Sequence, residues 1–334
     1  MGTSVEGIAE FWAWWPAARG QIQAAIEGGG YPDPLVDDIS AHVAAINADL
    51  DWELAPGSKA RHAFCLSGKG DPELRRLTEQ WSRSAPTIDQ TWEYHPARRG
   101  SADLDDVNLE MDGFEVALSD FVAAFDVDEG REVLNVRCFH REFPRMSEEL
   151  RRTATDLMLD AALGEDGVER WLGSIDGVAA APDGARPIAE LRAAIDVLAR
   201  SATGERFAVM RGNDTEGRPR FVTLNTALKR IDHLACDHHV AIDMAILAPD
   251  ANGLTTSDEA KDLDAIEDEL QPLVSDAVYF GRETRAGRRV LHFFAPGDSP
   301  AQARLVAWAS AHDKRDVRID WRADPRWDAR ARFL

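Results

Sequence analysis

The chain has 334 residues, of which 44% are hydrophobic and 29% charged, and 59 acidic against 38 basic side chains give it a net charge of −21. This composition is typical of a globular chain of about two domains of ~100–200 residues, and it excludes a disordered, collagen-like or coiled-coil protein. The negative charge argues against nonspecific binding to nucleic acid and to anionic membrane surfaces.

Apolar spacing predicts helices in the first fifty residues. Ile8, Phe11 and Trp15 lie on one helical face, and Pro16 either kinks this helix or starts a second one. Asp33-Pro34 predicts the start of another helix, with aspartate as the cap and proline at the first helical position. The three tryptophans in this stretch are typical of a core rather than of a ligand-stacking surface.

The same order of elements is expected twice before residue 180. The first copy consists of strands at 52–54 and 62–66, a helix after Asp71-Pro72 and a strand at 91–95. The second copy consists of strands at 121–127 and 133–140, a helix after Ser147 and an extended segment at 171–178. A connecting region at 109–118 precedes the second copy. Such β-β-α-β units predict the α+β class, with mixed or antiparallel sheets, helices mainly on one face and a ferredoxin-like local topology.

The segment Ala179–Arg186 consists mostly of small residues, contains proline and glycine and shows no apolar periodicity, so we expect a linker there. It divides the chain into an acidic N-terminal α+β domain at 1–180 and a C-terminal α+β domain at 187–334. The second domain is expected to contain a helix from 188, a hairpin around 213–217, a strand at 239–247, a helix after Thr256, a hairpin with its tip at 281–289, a helix after Pro300 and a strand at 317–321. If the linker is real, limited proteolysis should release two folded fragments.

Three stretches of the second half carry a family resemblance. The first is Gly217-Arg218-Pro219, which precedes an apolar strand. The second consists of Asn252-Gly253-Leu254, the acidic helix that follows, Tyr279–Thr284 and Gly287-Arg288. The third is Asp324–Trp327. On these residues, about 205–334 resembles the bacterial family called domain of unknown function 695. The Trp-rich opening, Ser84-Ala85-Pro86 and Leu163-Gly164-Glu165 resemble the module that accompanies this domain in some bacterial proteins. The family has no established activity, so the resemblance implies none.

The three cysteines, Cys65, Cys138 and Cys236, are scattered and form no CxxC pair, which favours a reduced cytosol over a disulfide framework. The N-terminal apolar stretch has no basic leader and is interrupted by Glu6 and Glu10, so we expect no signal peptide. No run of about 18 uncharged apolar residues is long enough to span a membrane. These features predict a cytoplasmic protein.

The densest group of potential metal ligands is formed by His233, Cys236, His238 and His239. Histidine and cysteine thiolate are good zinc ligands, but this spacing matches no known finger or catalytic zinc motif. A strand through 236–240 would place Cys236 and His238 on one face and His239 on the other. We therefore expect no metal and no other cofactor. A hydrolase or metal-dependent enzyme with a site near His233–His239 stays open as the alternative function.

Charge is distributed unevenly, and this directs attention to the C-terminal part. Residues 1–180 carry 16 basic and 34 acidic side chains, whereas residues 279–334 carry 12 Lys and Arg against 7 Asp and Glu. Arginine outnumbers lysine by 33 to 5, which is typical of a GC-rich bacterial genome. The asymmetry indicates either two units with different neighbours or a drift in surface composition.

The remaining candidate site is the arginine-rich hairpin tip. Its members are Arg282, Arg285, Arg288 and Arg289, which suit a phosphate, a carboxylate or an acidic protein surface. That surface would be this chain's own acidic half, a second copy or another protein, and an exposed, solubilising turn is the plain alternative. No nucleophile elbow, P-loop or dinucleotide-binding motif occurs, so we assign no catalytic residue. The sequence favours a non-enzymatic binding or regulatory protein that acts through its surface.

Overall fold

The structure is a computed structural model that describes residues 4–312 and 314–334. The chain divides into two units: the first holds the residues up to Val127 together with Val133–Arg200, and the second holds Asp128–Glu132 and Ser201–Leu334. Each combines helices with mixed or antiparallel sheets, which confirms the α+β class. Within the described ranges, no helix is long and apolar enough to cross a membrane.

Up to Ser201 the chain alternates between helices and short strands. The helices are α1 (Ser4–Glu27), α2 (Asp33–Ile46), α3 (Pro72–Arg83), α4 (Glu148–Leu163), α5 (Glu165–Trp171) and α6 (Ile188–Ser201). The strands are β1 (Asp51–Pro56), β2 (His62–Ser67), β3 (Trp92–His95), β4 (Asn108–Met111), β5 (Phe114–Ala117), β6 (Val122–Asp128), β7 (Val133–Phe139), β8 (Leu172–Gly177) and β9 (Arg186–Pro187).

The first core lies between α1, α2 and α3 and the sheet β1-β2-β3. Its centre is aromatic: Phe11, Trp15, Phe64, Trp81 and Trp92 are fully buried. These rings meet mostly edge to face, which is a favourable packing of aromatic side chains. Together they fill the space between the three helices and the small three-stranded sheet. The predicted core role of the N-terminal aromatic residues is therefore confirmed. α1 continues through its proline, which lies on the exposed face of the helix.

The second core repeats the connectivity of the first. In each, two neighbouring strands (β1 and β2, or β6 and β7) are followed by a helix and then by a third strand. The third strand pairs parallel with the second, as β3 does with β2 and β8 with β7. The topological repeat predicted from the sequence is thus present. A ferredoxin-like relationship stays a prediction. α6 packs Ile188, Leu191 and Ile195 into this second core, so the change of unit falls after α6. The domain division at 180–187 stays a prediction.

Two expectations for the first unit were wrong, those for the region at 109–118 and for the cap of α2, and one helix was not predicted. The connecting region at 109–118 is the hairpin β4-β5, whose turn residues Asp112 and Gly113 both have positive φ. Asp-Gly is the preferred sequence for this turn, so the signal was present but unread. The segment after Gly164 forms the short helix α5. In addition, α2 begins at Asp33 itself, with Pro32 rather than an aspartate side chain at its N-cap position.

The second unit is built on one six-stranded antiparallel sheet. Its strands are β10 (Phe207–Asn213), β11 (Pro219–Asn225), β12 (His238–Ala245), β13 (Val278–Arg285), β14 (Arg288–Ala295) and β15 (Val317–Ala323), and its helices are α7 (Ser257–Leu270), α8 (Ala301–Ala311) and α9 (Asp328–Ala331). The strand order is β10-β11-β13-β14-β12-β15. The hairpin, helix and strand expected at the end of the chain are present as β13-β14-α8-β15, but β12 separates β14 from β15. This run therefore differs in topology from the two repeats of the first unit.

The two faces of this sheet have different covers. Successive side chains of a strand point to opposite faces. On one face Val240, Ile242 and Leu291 pack with Leu263 of α7 and Leu305 of α8. On the other face the sheet packs against Trp327 and Phe333 of the C-terminal segment, so these two residues hold the tail on the sheet. We call this second side the tail face.

Candidate functional site

The arginine hairpin has a much shorter tip than expected. β13 extends to Arg285 and β14 begins at Arg288, so the turn consists of Ala286 and Gly287, with φ of 49° and 75°. Positive φ at both positions is the two-residue turn that matches the twist of a hairpin. The tip is also held, because Gly287 N donates to Gly253 O at 2.7 Å and Ile246 N donates to Gly287 O at 2.8 Å. The expected tip at 281–289 is therefore corrected to two residues.

Arg282 and Arg289 lie on the helix-covered face and share two carboxylates of α7. Arg282 Nη1 is 3.2 Å from Asp264 Oδ1 and 3.3 Å from Glu267 Oε2. Arg289 Nη1 is 2.8 Å from Asp264 Oδ1 and 3.0 Å from Glu267 Oε1. Two positive charges therefore face two negative charges, and this pair of arginines joins α7 to the sheet.

Arg288 lies on the tail face and is also matched by two carboxylates. Its Nε is 2.7 Å from Asp243 Oδ1 and its Nη1 is 2.6 Å from Asp316 Oδ2. Three of the four predicted arginines thus have a full set of acidic partners within their own unit.

Arg285 has a different environment. Its Nε lies 2.6 Å from Glu283 Oε1, and Arg220 Nε lies 2.6 Å from the same oxygen. Glu283 is 3% exposed, so one buried carboxylate serves two guanidinium groups. Arg332, from the C-terminal segment, is the third cation: its guanidinium lies over the Phe333 ring at 4.7 Å, as Arg220 does at 5.2 Å. Burial lowers the pKa of Arg332, with the nearby Glu283 opposing this shift.

Two buried histidines complete this group. His239 of β12 and His292 of β14 stack at 5.3 Å, with His239 Nε2 and His292 Nδ1 3.1 Å apart at hydrogen-bond distance. They are 1% and 2% exposed. Burial lowers the pKa of His239 to about 4, with Arg322 and Arg332 adding to the effect, and lowers that of His292 to about 2. Both rings are therefore neutral near pH 7.

His292 Nε2 points to the same carboxylate without bonding to it. It lies 3.9 Å from Glu283 Oε2 and has no hydrogen-bond partner in the part of the chain that the structure describes. We name Glu283, Arg220, Arg285, Arg332 and His292 the Glu283 cluster. Its charges are three arginines and one glutamate, a surplus of two positive charges. Next to it, Arg322 lies 3.7 Å from Asp320, and Asp324 accepts hydrogen bonds from the first turn of α9.

The four candidate metal ligands are not brought together. His233 stacks on Trp327, Cys236 is buried in the tail-face core, His238 Nδ1 pairs with Asp237 Oδ1 at 2.9 Å, and His239 belongs to the histidine stack. Burial raises the pKa of Cys236 to about 11, so its thiol is protonated. Within the described residues, no three His, Cys, Asp or Glu side chains are placed to hold a metal ion.

The prediction that Cys236 and His238 lie on one face of a strand, with His239 on the other, was wrong. β12 begins at His238, so Cys236 precedes the strand and does not follow its alternation. Cys236 packs with Phe280 and Phe294, and His239 also contacts both of these rings. His238 lies beside Trp321, which packs with the helix-covered core. Cys236 therefore shares a face with His239 and not with His238.

Most of the Glu283 cluster was not found from the sequence. Of its members only Arg285 was a candidate, and His292 was interpreted as structural. The others lie on three different elements, β11, β13 and the C-terminal segment, which are distant in the sequence and adjacent only in the sheet. Strand alternation could have placed Glu283 and Arg285 on one face, but it could not have indicated Arg220 or Arg332.

The comparisons with known proteins identify the C-terminal part alone. Residues 210–334 match the model of a family described as a family of unknown function (DUF695). No curated protein and no solved structure matched the chain. The aromatic core around α1 is consistent with the Trp-rich companion module, which stays a prediction. The matched residues contain every member of the Glu283 cluster, and this C-terminal part of the chain is therefore similar to the family of unknown function DUF695.

Proposed function

We propose that the protein is a non-enzymatic, cytoplasmic binding protein whose C-terminal domain binds an acidic segment of a partner protein at the Glu283 cluster. One observation carries this proposal: one buried carboxylate lies within ion-pair distance of two guanidinium groups, and a third, that of Arg332, lies with Arg220 over the same Phe333 ring. A cytoplasmic location is supported by three free, buried cysteines.

The arrangement favours a carboxylate-bearing partner because its arginines are held in place and remain accessible. Glu283 fixes Arg220 and Arg285, and the Phe333 ring supports Arg220 and Arg332. The side chains of Arg220 and Arg285 are 32% and 45% exposed. Arginine donors in fixed positions bind carboxylates bidentately and lose little side-chain freedom on binding. Hydrogen bonds to charged groups contribute about 1.5–3 kcal/mol each when they are well formed.

Arg282 and Arg289 of the same hairpin are less suited to bind a partner than the arginines of the Glu283 cluster. Arg282 and Arg289 already share Asp264 and Glu267, so an incoming carboxylate would have to displace these partners. Arg332 forms no ion pair within the described residues, so it meets a partner's carboxylate without such a loss. The surface that binds is thus predicted to be the tail face rather than the hairpin tip.

The test is the binding of a fluorescein-labelled hexaglutamate peptide, followed by anisotropy at low and at physiological salt. The chain has a net charge of −21, so a polyanion binds only where local charge overcomes the general repulsion. In the double variant Arg285→Ala/Arg332→Ala, we expect an affinity loss of at least about tenfold, or ~1.4 kcal/mol.

The control variant removes the same charge elsewhere in the second unit. Arg218→Ala/Arg304→Ala changes two arginines that pair with Asp214 and Asp276. We expect this variant to bind the peptide like the wild type. Equal losses in both double variants, or no binding by the wild type at low salt, would contradict the proposal.

A further inference from the structure

The first unit contains a cavity that the proposed function does not use. It has a volume of about 660 Å³ and lies between the strands β1 and β2, the segment 98–107 and helix α4. The charged or reactive side chains of its lining are Glu53, Cys65, Arg98, Arg99, Asp103, Asp106 and Asp160. Cavities of ~300–1,000 Å³ with a few convergent polar groups are the usual form of a small-molecule site.

The cationic side of the cavity is formed by two consecutive arginines. Arg98 donates to Asp51, and its Nε is 3.5 Å from Glu53 Oε2. Arg99 Nη1 is 3.2 Å from Glu93 Oε1, and Arg99 Nη2 donates to Pro56 O at 2.6 Å. The Nε atoms of both arginines are buried, and neither has a hydrogen-bond acceptor in the described part of the chain. Arg98 Nε therefore has only a long ion pair with Glu53, and Arg99 Nε has no acceptor in the described part of the chain.

The anionic side is formed by Asp160 of α4. Its carboxylate is half-buried and has no hydrogen-bond or ion-pair partner among the described residues. Burial raises the pKa of Asp160 to about 6, with Glu165 adding to the rise and Arg98 opposing it. An ammonium group would supply the donors that this carboxylate lacks.

Cys65 forms a neutral part of the wall. It is 1% exposed, and burial raises the pKa of its thiol to about 11. The thiolate, not the thiol, is the nucleophile in cysteine chemistry. The cavity is therefore described better as a binding site than as a site of covalent catalysis.

We infer that this cavity binds a small amino-acid-type zwitterion, with its carboxylate on Arg98 and Arg99 and its ammonium group on Asp160. A simple anion would leave Asp160 without a donor, and a simple cation would leave the arginine Nε donors without an acceptor. Only a ligand with both groups satisfies both sides, because buried polar groups are costly when they stay unpaired. This inference is independent of the proposed function, since it concerns the other unit.

The experiment uses three probes of equal chain length on the full-length protein: 4-aminobutyrate, 1,4-diaminobutane and succinate. They present a zwitterion, a dication and a dianion, and saturation-transfer NMR detects binding as weak as millimolar. We expect 4-aminobutyrate to give the strongest signal. In the Asp160→Asn variant its affinity should fall about tenfold.

Asp156→Asn is the matched control, because Asp156 lies one turn earlier on α4 and does not line the cavity. Its binding should equal that of the wild type, and circular dichroism verifies that both variants are folded. The inference is overturned if diaminobutane or succinate binds as well as aminobutyrate. It is also overturned if no probe binds, or if Asp160→Asn binds like the control.

Discussion

Glu93 in the first unit and Glu283 in the second are both buried glutamates, but their partners differ in kind. Glu93 is 1% exposed and accepts hydrogen bonds from the backbone N–H groups of Ser58, Lys59 and Ala60, at 2.6–2.8 Å. His95 and Arg99 add side-chain contacts to the same carboxylate. Glu283 is 3% exposed, has no backbone donor among the described residues, and forms ion pairs with two arginines at one oxygen.

The difference shows how partners decide what a buried carboxylate does. Burial by itself raises the pKa of Glu93. The hydrogen bonds from His95 and from the backbone N–H groups of Ser58, Lys59 and Ala60 outweigh this effect and hold the pKa far below its usual range. Backbone donors cannot leave, so Glu93 fixes the loop after β1. The arginines at Glu283 have long side chains that reach solvent, and in the proposed function this carboxylate positions them for a partner.

The largest expected effect is the loss of stability in Glu93→Ala. Removing one partner of a buried charge network costs about 3–5 kcal/mol, because the remaining donors stay desolvated and unpaired. Urea unfolding followed by tryptophan fluorescence measures the loss. Glu27→Ala is the control, since Glu27 pairs with Arg61 at the surface and should leave the midpoint unchanged. Similar midpoints for both variants would show that Glu93 is not the stronger anchor.

Acidification should weaken the surroundings of Glu283 before those of Glu93. His239 and His292 have folded-state pKa values below the unfolded value of about 6.5, so the unfolded chain binds more protons below that pH. The stability that these neutral rings provide is lost as pH falls from about 6.5 toward 4, by about 1.4 kcal/mol per pH unit for each histidine. The contribution of Glu93 is also lost as pH falls, but only below the ordinary carboxyl pKa of about 4.5, because its folded-state pKa is lowered.

Urea unfolding near pH 6 and pH 5 measures this slope in the wild type and in His292→Gln. The variant lacks the contribution of one histidine to the pH dependence. The slope of its unfolding free energy against pH should therefore be smaller than that of the wild type by about 1.4 kcal/mol per pH unit. Equal slopes would mean that His292 is not the group that takes up the proton on unfolding.

The smallest expected effect is that of Glu283→Gln, about 1–3 kcal/mol, because Arg220 and Arg285 are partly solvated and do not become fully buried charges. The same change removes the negative charge from the cluster and should strengthen binding of the hexaglutamate peptide. Glu267→Gln, on the opposite face, should leave peptide binding unchanged. Weaker binding by Glu283→Gln would show that Glu283 holds the arginines in place more than it neutralises them.

The elements that were predicted well have strong local signals. The cap of α3 is one: Asp71 accepts from Glu73 N and Leu74 N, as the Asp-Pro pair indicated. Ser147 and Thr256 likewise cap α4 and α7. The failures also have local causes. The Asp112-Gly113 turn was missed because the strands on either side are only four residues long, too short for alternation to show.

The sequence by itself determined the helix caps, most strand positions, the α+β class and the aromatic core, because each depends on side chains a few residues apart. Only the tertiary structure decided which arginines are neutralised. Arg282 and Arg289 lie opposite two acids of α7, whereas Arg285 shares one carboxylate with Arg220. That outcome depends on strand order and on which face the C-terminal segment covers. Both are set by pairing between distant segments, about which the spacing of residues along the chain carries no information.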